Sequence, residues 1–357
     1  MLHAGYKAAT PTPNTNQAQR KSLTDLTMKM CSDSYAYAAN SVGVSLAATR
    51  CYLRFCLAFG HEPCVQGVGL CELVLMEFVI FMALSGKAKS IHTYLSMGCR
   101  ILCEQSNGRY TPPSQLPRLR RTIKAIERIY GKLKNRKPPI TIAMLMRICS
   151  TTLLLTDIYT LTIKAALLVA FFGFLRKSSY CTATMTSFDP MRDLTFSHLV
   201  KRGNRFAIVL SHTKTIQCLE RQVEIWLPRY DNIFCPSLAL ENMIVARTRQ
   251  WGPPQPFQPL FMITKGGQAL YAARFLAELK AAVKAAGYDP KLYTPHSLRR
   301  GGATFAFECQ CSPACIKMQG DWISDAYLLY LDVSDAIKEQ TCALMERAIR
   351  SSLTRAG

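Results

Sequence analysis

In Thr294-Pro295-His296-Ser297-Leu298-Arg299-Arg300-Gly301-Gly302-Ala303-Thr304, an imidazole and a guanidinium stand three residues apart. Thr294 is a good N-cap and Pro295 takes the first helical position, where no backbone donor is lost. His296 and Arg299 are therefore expected on one face of the first turns of a helix. Free backbone N–H groups and the helix dipole favour an anion there. The planar fork of an arginine can hold two phosphate oxygens at once. Gly301 and Gly302 would weaken a helix unless another backbone or a ligand must come close. Alone, the His-x-x-Arg pair fits a structural role equally well. Downstream, Gly320-Asp321-Trp322-Ile323-Ser324-Asp325-Ala326-Tyr327-Leu328-Leu329-Tyr330 adds an indole donor and two phenols at helical spacing.

The composition says what such a site would act on. The 357 residues carry 44 Lys and Arg against 23 Asp and Glu, a net charge of +21, which favours a polyanion such as nucleic acid. Hydrophobic residues make up 49%, enough for real cores and too much for a disordered chain. The longest apolar runs, Leu73–Met76 with Phe78–Leu84 and Ala165–Leu175, are shorter than the roughly 20 residues that span a bilayer. A soluble, intracellular protein with no membrane partner is expected. The 15 cysteines are scattered without a C-x-x-C pair. Most, such as Cys51, Cys56, Cys99 and Cys103, read as buried reduced thiols. Cys309, Cys311 and Cys315 match no common zinc finger, and no metal is expected.

The elements that must hold these residues follow from periodicity. Met1 to Arg20 reads as a disordered arm (1–21). From Ser22 to Asn107 the pattern is helical, with helices expected over Ser45–Phe59, Leu73–Leu84 and Ser90–Glu104, forming a bundle at 22–110. Tyr110-Thr111-Pro112-Pro113 breaks the pattern, and 111–138 is expected to be a basic interdomain linker. It carries Arg118, Arg120, Arg121, Lys124, Arg128, Lys132, Lys134, Arg136 and Lys137 against the single acid Glu127. A one-sign run beside a domain boundary suits a phosphate-tracking surface; a plain basic surface or nuclear-import signal is the alternative. The larger unit, 139–357, is mostly helical. Phe196–Val200, Arg205–Leu210 and Gln222–Leu227 are expected to form a three-stranded antiparallel sheet embedded in it. The fold class is thus mainly α with a small antiparallel β-sheet.

His296-x-x-Arg299, Gly320-Asp321-Trp322 and a tyrosine eight residues after the tryptophan together resemble the C-terminal signature of the tyrosine recombinases of phage-integrase type. Ser297–Thr304 with Ser324-Asp325-Ala326-Tyr327 looks most like the eukaryotic mobile-element branch, the DIRS-type, Ngaro-type and Crypton recombinases. The resemblance implies a first arginine at the end of an apolar helix, which Phe171-Phe172-Gly173-Phe174-Leu175-Arg176 matches. It implies a hairpin lysine, matched by Lys214 in Ser211-His212-Thr213-Lys214-Thr215. It further implies a helical core-binding (SAM-like) domain and an α+β catalytic domain closing on double-stranded DNA as a C-shaped clamp. The implied catalytic set is Arg176, Lys214, His296, Arg299, Trp322 and the nucleophile Tyr330, with Tyr327 as second choice and a packing role otherwise. No metal or nucleotide cofactor is implied, and a tetrameric synapse of identical subunits on DNA is. The acid that many members carry three residues after the first arginine is here Ser179, which leaves Arg176 with a weaker orienting partner. The implied location is the nucleus in a eukaryotic host and otherwise the cytoplasm.

The main alternative is a catalytically silent DNA-binding protein derived from such a recombinase. Retention of all six catalytic residue types argues against it. A type IB topoisomerase would share the chemistry, but the small helical N-terminal unit favours the recombinase. No stretch joins a large apolar face to a basic one, as a membrane-surface helix would.

Overall fold

A computed structural model describes residues 39–62, 71–99, 111–130, 137–154, 156–213, 216 and 221–331, with isolated positions between 339 and 347. The N-terminal arm, Lys132, Lys134, Arg136, Lys214 and most of the segment after 331 lie outside the described residues. The chain divides into two compact units, Met1–Lys134 and Asn135–Gly357.

The first unit is helical. It comprises α1 (Ala39–Phe59), α2 (Glu72–Leu84), a short stretch around α3 (Ile91–Tyr94) and α4 (Pro117–Tyr130). Tyr52 and Phe55 of α1 meet Phe78 of α2 with ring centroids 5.0 and 5.3 Å apart, and Met82, Ile91 and Leu95 complete the core around them. The basic stretch expected as a linker holds α4 instead. Leu119, Ile123 and Ile126 recur at helical spacing and are buried in this core. Oε1 of Glu72 accepts hydrogen bonds from the backbone N–H groups of Arg118 (2.9 Å) and Leu119 (3.0 Å). Its carboxylate thereby serves the unpaired donors and positive dipole end of a helix whose own first turn has no acid. The charge of the stretch masked its three apolar residues in the sequence.

In the second unit, α5 (Ile142–Thr151) starts on Thr141, whose hydroxyl accepts from the Met144 N–H at 3.2 Å. Helix α6 (Ile158–Phe172) starts on Asp157, whose carboxylate accepts from the Thr160 N–H at 2.9 Å. From Ala165 to Phe171 every residue of α6 is buried, because α7 (Pro236–Trp251), α8 (Ala272–Ala285) and α9 (Pro295–Glu308) pack around it. The sheet runs β1 (Leu199–Arg202), β2 (Arg205–Leu210), β3 (Val223–Trp226), antiparallel, with Ile208 opposite Leu199 on one side and Ile225 on the other. The first strand begins later than its sequence indicates. Phe196–His198 is a 3₁₀ turn, held because the Thr195 N–H donates to Nδ1 of His198 (3.1 Å) and the Thr195 hydroxyl lies 2.8 Å from the same nitrogen. Local side-chain bonding of this kind competes with strand pairing.

Two glycines set how closely α9 approaches its neighbours. A Cβ on Gly301 would lie 1.9 Å from the carbonyl oxygen of Ile140, and one on Gly302 would lie 2.0 Å from that of Phe171. Both obstacles are backbone, so neither can swing aside. Gly301→Ala and Gly302→Ala are each expected to destabilise this unit by about 3 kcal/mol or more, at or above the usual cost of overpacking. A lower urea midpoint at unchanged slope would report it; a midpoint equal to wild type would contradict the close approach.

Cys56, Cys99, Cys149, Cys181 and Cys235 are buried, whereas Cys71, Cys309, Cys311, Cys315 and Cys342 are exposed. Among the described residues no cluster of His, Cys, Asp and Glu could hold a metal ion, and no helix is long and apolar enough to cross a membrane.

Candidate active site

Thr294 and Ser297 cap the start of α9 reciprocally, with the Thr294 N–H donating to the Ser297 hydroxyl at 3.2 Å. The cap fixes the first turns, leaving His296 exposed and Arg299 only 2% exposed. A buried guanidinium must have its N–H groups met. Nη1 of Arg299 donates to the carbonyl of Phe174, and Nη2 to that of Gly320 at 2.7 Å. Both carbonyls come from helix ends followed by unusual backbone. Phe174 has φ 46°, just after α6, and Asp321 has φ 52°, just after α10 (Pro313–Gln319) and Gly320. Non-glycine residues seldom adopt this left-handed conformation unless the surrounding structure imposes it.

Trp322 folds back over Gly320, so closely that a Cβ there would lie 1.7 Å from the indole. The Arg299 guanidinium carbon sits 4.0 Å from the Trp322 ring centroid and 5.2 Å from that of Tyr330. Tyr330 closes the group, its ring 5.1 Å from Trp322 and 4.9 Å from His296. It follows the 3₁₀ turn Asp325–Leu329 rather than lying on a long helix, and its carbonyl accepts from Nε of Arg300 at 3.2 Å. Tyr327 is buried in the small cluster of Phe174, Ala303, Ile316 and Trp322, with Lys317 Nζ 6.0 Å from its ring.

Among the described residues, two buried donors in this group have no acceptor: Nε of Arg299 and the indole Nε1 of Trp322. Buried N–H groups are nearly always paired, so two orphans beside one phenol mark a place suited to an external anion. Burial, and next the neighbouring charge of Arg176, push Arg299 down to about 9. Partial desolvation of its ring, followed by the charges of Arg299, Arg300 and Arg176, holds His296 below its ordinary value, which favours the neutral imidazole. It can accept or donate a hydrogen bond without adding charge.

Arg176 lies just beyond α6, and its Nη1 is 3.5 Å from Oδ2 of Asp321. Sequence reasoning passed over Asp321. It was legible as the acid inside Gly320-Asp321-Trp322, but nothing in the sequence ties it to Arg176. Lys214 lies outside the described residues, although Thr213 and Ile216 on either side of it form a backbone bridge. In the first unit, Arg118, Arg120, Arg121, Lys124 and Arg128 are all exposed on α4. Lys137, in the second unit, donates from Nζ to the carbonyl of Lys291 at 2.8 Å. Tyr180 is a buried packing residue, edge-on to Phe275 at 5.1 Å.

No family model matches the sequence, and no curated protein matches it. Solved structures do resemble the fold. A lambda integrase (residues 75–356) dimer bound to a COC′ core site is similar with a TM-score of 0.53 at 15% identity, over 88% of this chain and 95% of that one. The XerH site-specific recombinase bound to a palindromic difH substrate, a post-cleavage complex, gives 0.54 at 13% identity, over 78% and 73%. The Tn1549 transposon integrase in complex with transposon right end DNA gives 0.53 at 15% identity, over 91% and 98%. At such identities the likeness is one of fold, and on it the chain, mainly helical with a small three-stranded antiparallel sheet, has the tyrosine-recombinase fold.

Proposed function

We propose that this chain is a site-specific DNA recombinase or integrase that cuts and rejoins strands through a 3′-phosphotyrosyl intermediate. The observation that carries the reading is the pair of orphaned buried donors, Arg299 Nε and Trp322 Nε1, beside the ring of Tyr330. A phosphodiester oxygen is an acceptor of the right charge for them.

In this reading the phenol oxygen of Tyr330 attacks the phosphorus in line, the new O–P bond forming as the bond to the 5′-oxygen breaks. Arg176 and Arg299 offset the charge gathering on the equatorial oxygens, as donors do in an oxyanion hole. Neutral His296 supplies a hydrogen bond and helps manage the phenol proton. Trp322 donates through its indole or braces Arg299, and Lys214 protonates the departing 5′-oxygen. A free 5′-hydroxyl then attacks the phosphotyrosine in reverse, so bond energy is conserved and no metal or nucleotide is consumed. The first unit acts as the core-binding domain and the second as the catalytic domain. The exposed basic face of α4 contributes phosphate contacts.

The partner is double-stranded DNA, with several copies assembling on it. A lambda integrase structure of similar fold is a tetramer bound to a Holliday junction (TM-score 0.51, 13% identity). The sequence resemblance points further, to a eukaryotic mobile element and hence a nuclear site of action.

The test is a nicked duplex carrying candidate element ends, run on denaturing gels. A protein–DNA band that survives denaturation is expected. Tight binding with no band on any candidate end would favour the silent DNA-binding alternative. Binding itself should be strongly salt-dependent. With six or more phosphates contacted, affinity is expected to fall on the order of a thousandfold or more between about 50 and 200 mM salt. A flat response in a filter-binding titration would mean that the +21 charge does not serve DNA.

A further inference from the structure

We infer that Asp321 is a positioning residue that aims Arg176 at the scissile phosphate, so that the dipeptide Gly320–Asp321 orients both arginines of the site. The inference rests on the function proposed above. Its basis is a convergence of three elements on one buried carboxylate. The Asp321 side chain is 4% exposed. Oδ2 lies 3.5 Å from Nη1 of Arg176 and accepts from the Thr213 hydroxyl at 2.8 Å. Oδ1 accepts from Nη2 of Arg221 at 2.5 Å. These partners come from the end of α6, the chain after β2 and the approach to β3. One residue earlier, the Gly320 carbonyl takes Nη2 of Arg299.

Three features separate this arrangement from an ordinary ion pair. First, a buried charge persists only when partners compensate it, and here the compensation comes from two guanidiniums held apart on separate elements. Second, Asp321 sits at φ 52°, a conformation that Asp and Asn tolerate better than most residues and that is retained where the fold over-determines it. The turn puts the carboxylate and the preceding carbonyl to work on different arginines. Third, Arg176 and Arg299 are like charges close enough for Arg176 to push the titration of Arg299 down, while Asp321 pushes it up. Without the carboxylate, Arg176 would gain by swinging outward to water, since it is already part-exposed. With it, the guanidinium is held beside Arg299 before DNA arrives, which is what electrostatic preorganisation requires.

Asp321→Asn tests this directly. Asparagine keeps the shape, tolerates the same backbone and can still accept from Thr213, so the variant removes chiefly the charge. Single-turnover formation of the covalent complex is measured on two nicked duplexes, one with a normal scissile phosphodiester and one with a methylphosphonate there. The methylphosphonate is uncharged and has little need of the Arg176 charge. The expected result is a fall of about 100-fold for the phosphodiester, with the methylphosphonate rate within about threefold of wild type and DNA affinity little changed. The ratio of the two rates is independent of the fraction of protein folded. Equal losses on both substrates would make Asp321 a purely structural residue and overturn the inference, as would a wild-type rate on the phosphodiester. Should Asp321→Asn not fold, Thr213→Val, which removes one hydrogen bond to Oδ2, is expected to shift the same ratio severalfold, and no shift would overturn the inference. No covalent complex from the wild-type chain on either substrate would overturn the proposed function and this inference with it.

Discussion

Tyr330→Phe is expected to abolish the covalent protein–DNA complex, by on the order of 10⁴-fold or more, because it removes the oxygen proposed to attack the phosphorus. Phenylalanine keeps the ring that packs 5.1 Å from Trp322 and 4.9 Å from His296, and the Tyr330 carbonyl still accepts from Arg300. Folding and DNA affinity should therefore survive, and a gel-shift titration alongside the denaturing gel would confirm that only chemistry was lost. Tyr327→Phe is the matched control. Tyr327 is 6% exposed and packs in the cluster beneath the site, so its variant should form the covalent band within about threefold of the wild-type rate. A band lost only in Tyr327→Phe would reassign the nucleophile. Proximity to the cation favours Tyr330 over Tyr327 as the proposed nucleophile. A phenol with a pKa near 10 attacks well only where cations stabilise its anion, and the ring of Tyr330 lies 5.2 Å from the Arg299 guanidinium carbon.

Arg299→Lys should lower the cleavage rate on the order of 10²–10³-fold while leaving a positive charge in place. In the proposed mechanism the guanidinium does two jobs at once. Nη1 and Nη2 hold the carbonyls of Phe174 and Gly320, and Nε remains for an anion. An ammonium is a compact point charge without that planar fork, so serving the carbonyls leaves nothing aimed at the phosphate. The same change should cost about 1–3 kcal/mol of stability, since a buried carbonyl loses its donor. Single-turnover rates corrected for the folded fraction separate the two effects. A corrected rate within tenfold of wild type would show that charge alone suffices, and that the fork geometry has no catalytic part.

The sequence carried the local features well. The cap and proline at Thr294-Pro295, the spacing of His296 and Arg299, and the bounds of β2 are all as expected. Where local bonding competed, it misled. The Thr195–His198 turn took the start of a strand, and the charge around Leu119, Ile123 and Ile126 hid a core helix. The paired glycines of α9 signalled a close approach without saying to what; the answer is the backbone at Ile140 and Phe171.

What the sequence by itself determined is therefore whatever depends on neighbours a few residues away: helical period, caps, turns, and the presence of two arginines, an imidazole, an indole and two phenols. Only the tertiary structure decided which of these groups face one another. The carbonyl that fixes Arg299 belongs to Phe174, 125 residues upstream, and the carboxylate on Arg221 belongs to Asp321, 100 residues downstream. The physical reason is that burying a charged group is tolerated only where acceptors compensate it, and the carbonyls that meet Nη1 and Nη2 of Arg299 are delivered by packing α6, α9 and α10 together. Spacing along the chain carries no record of that packing.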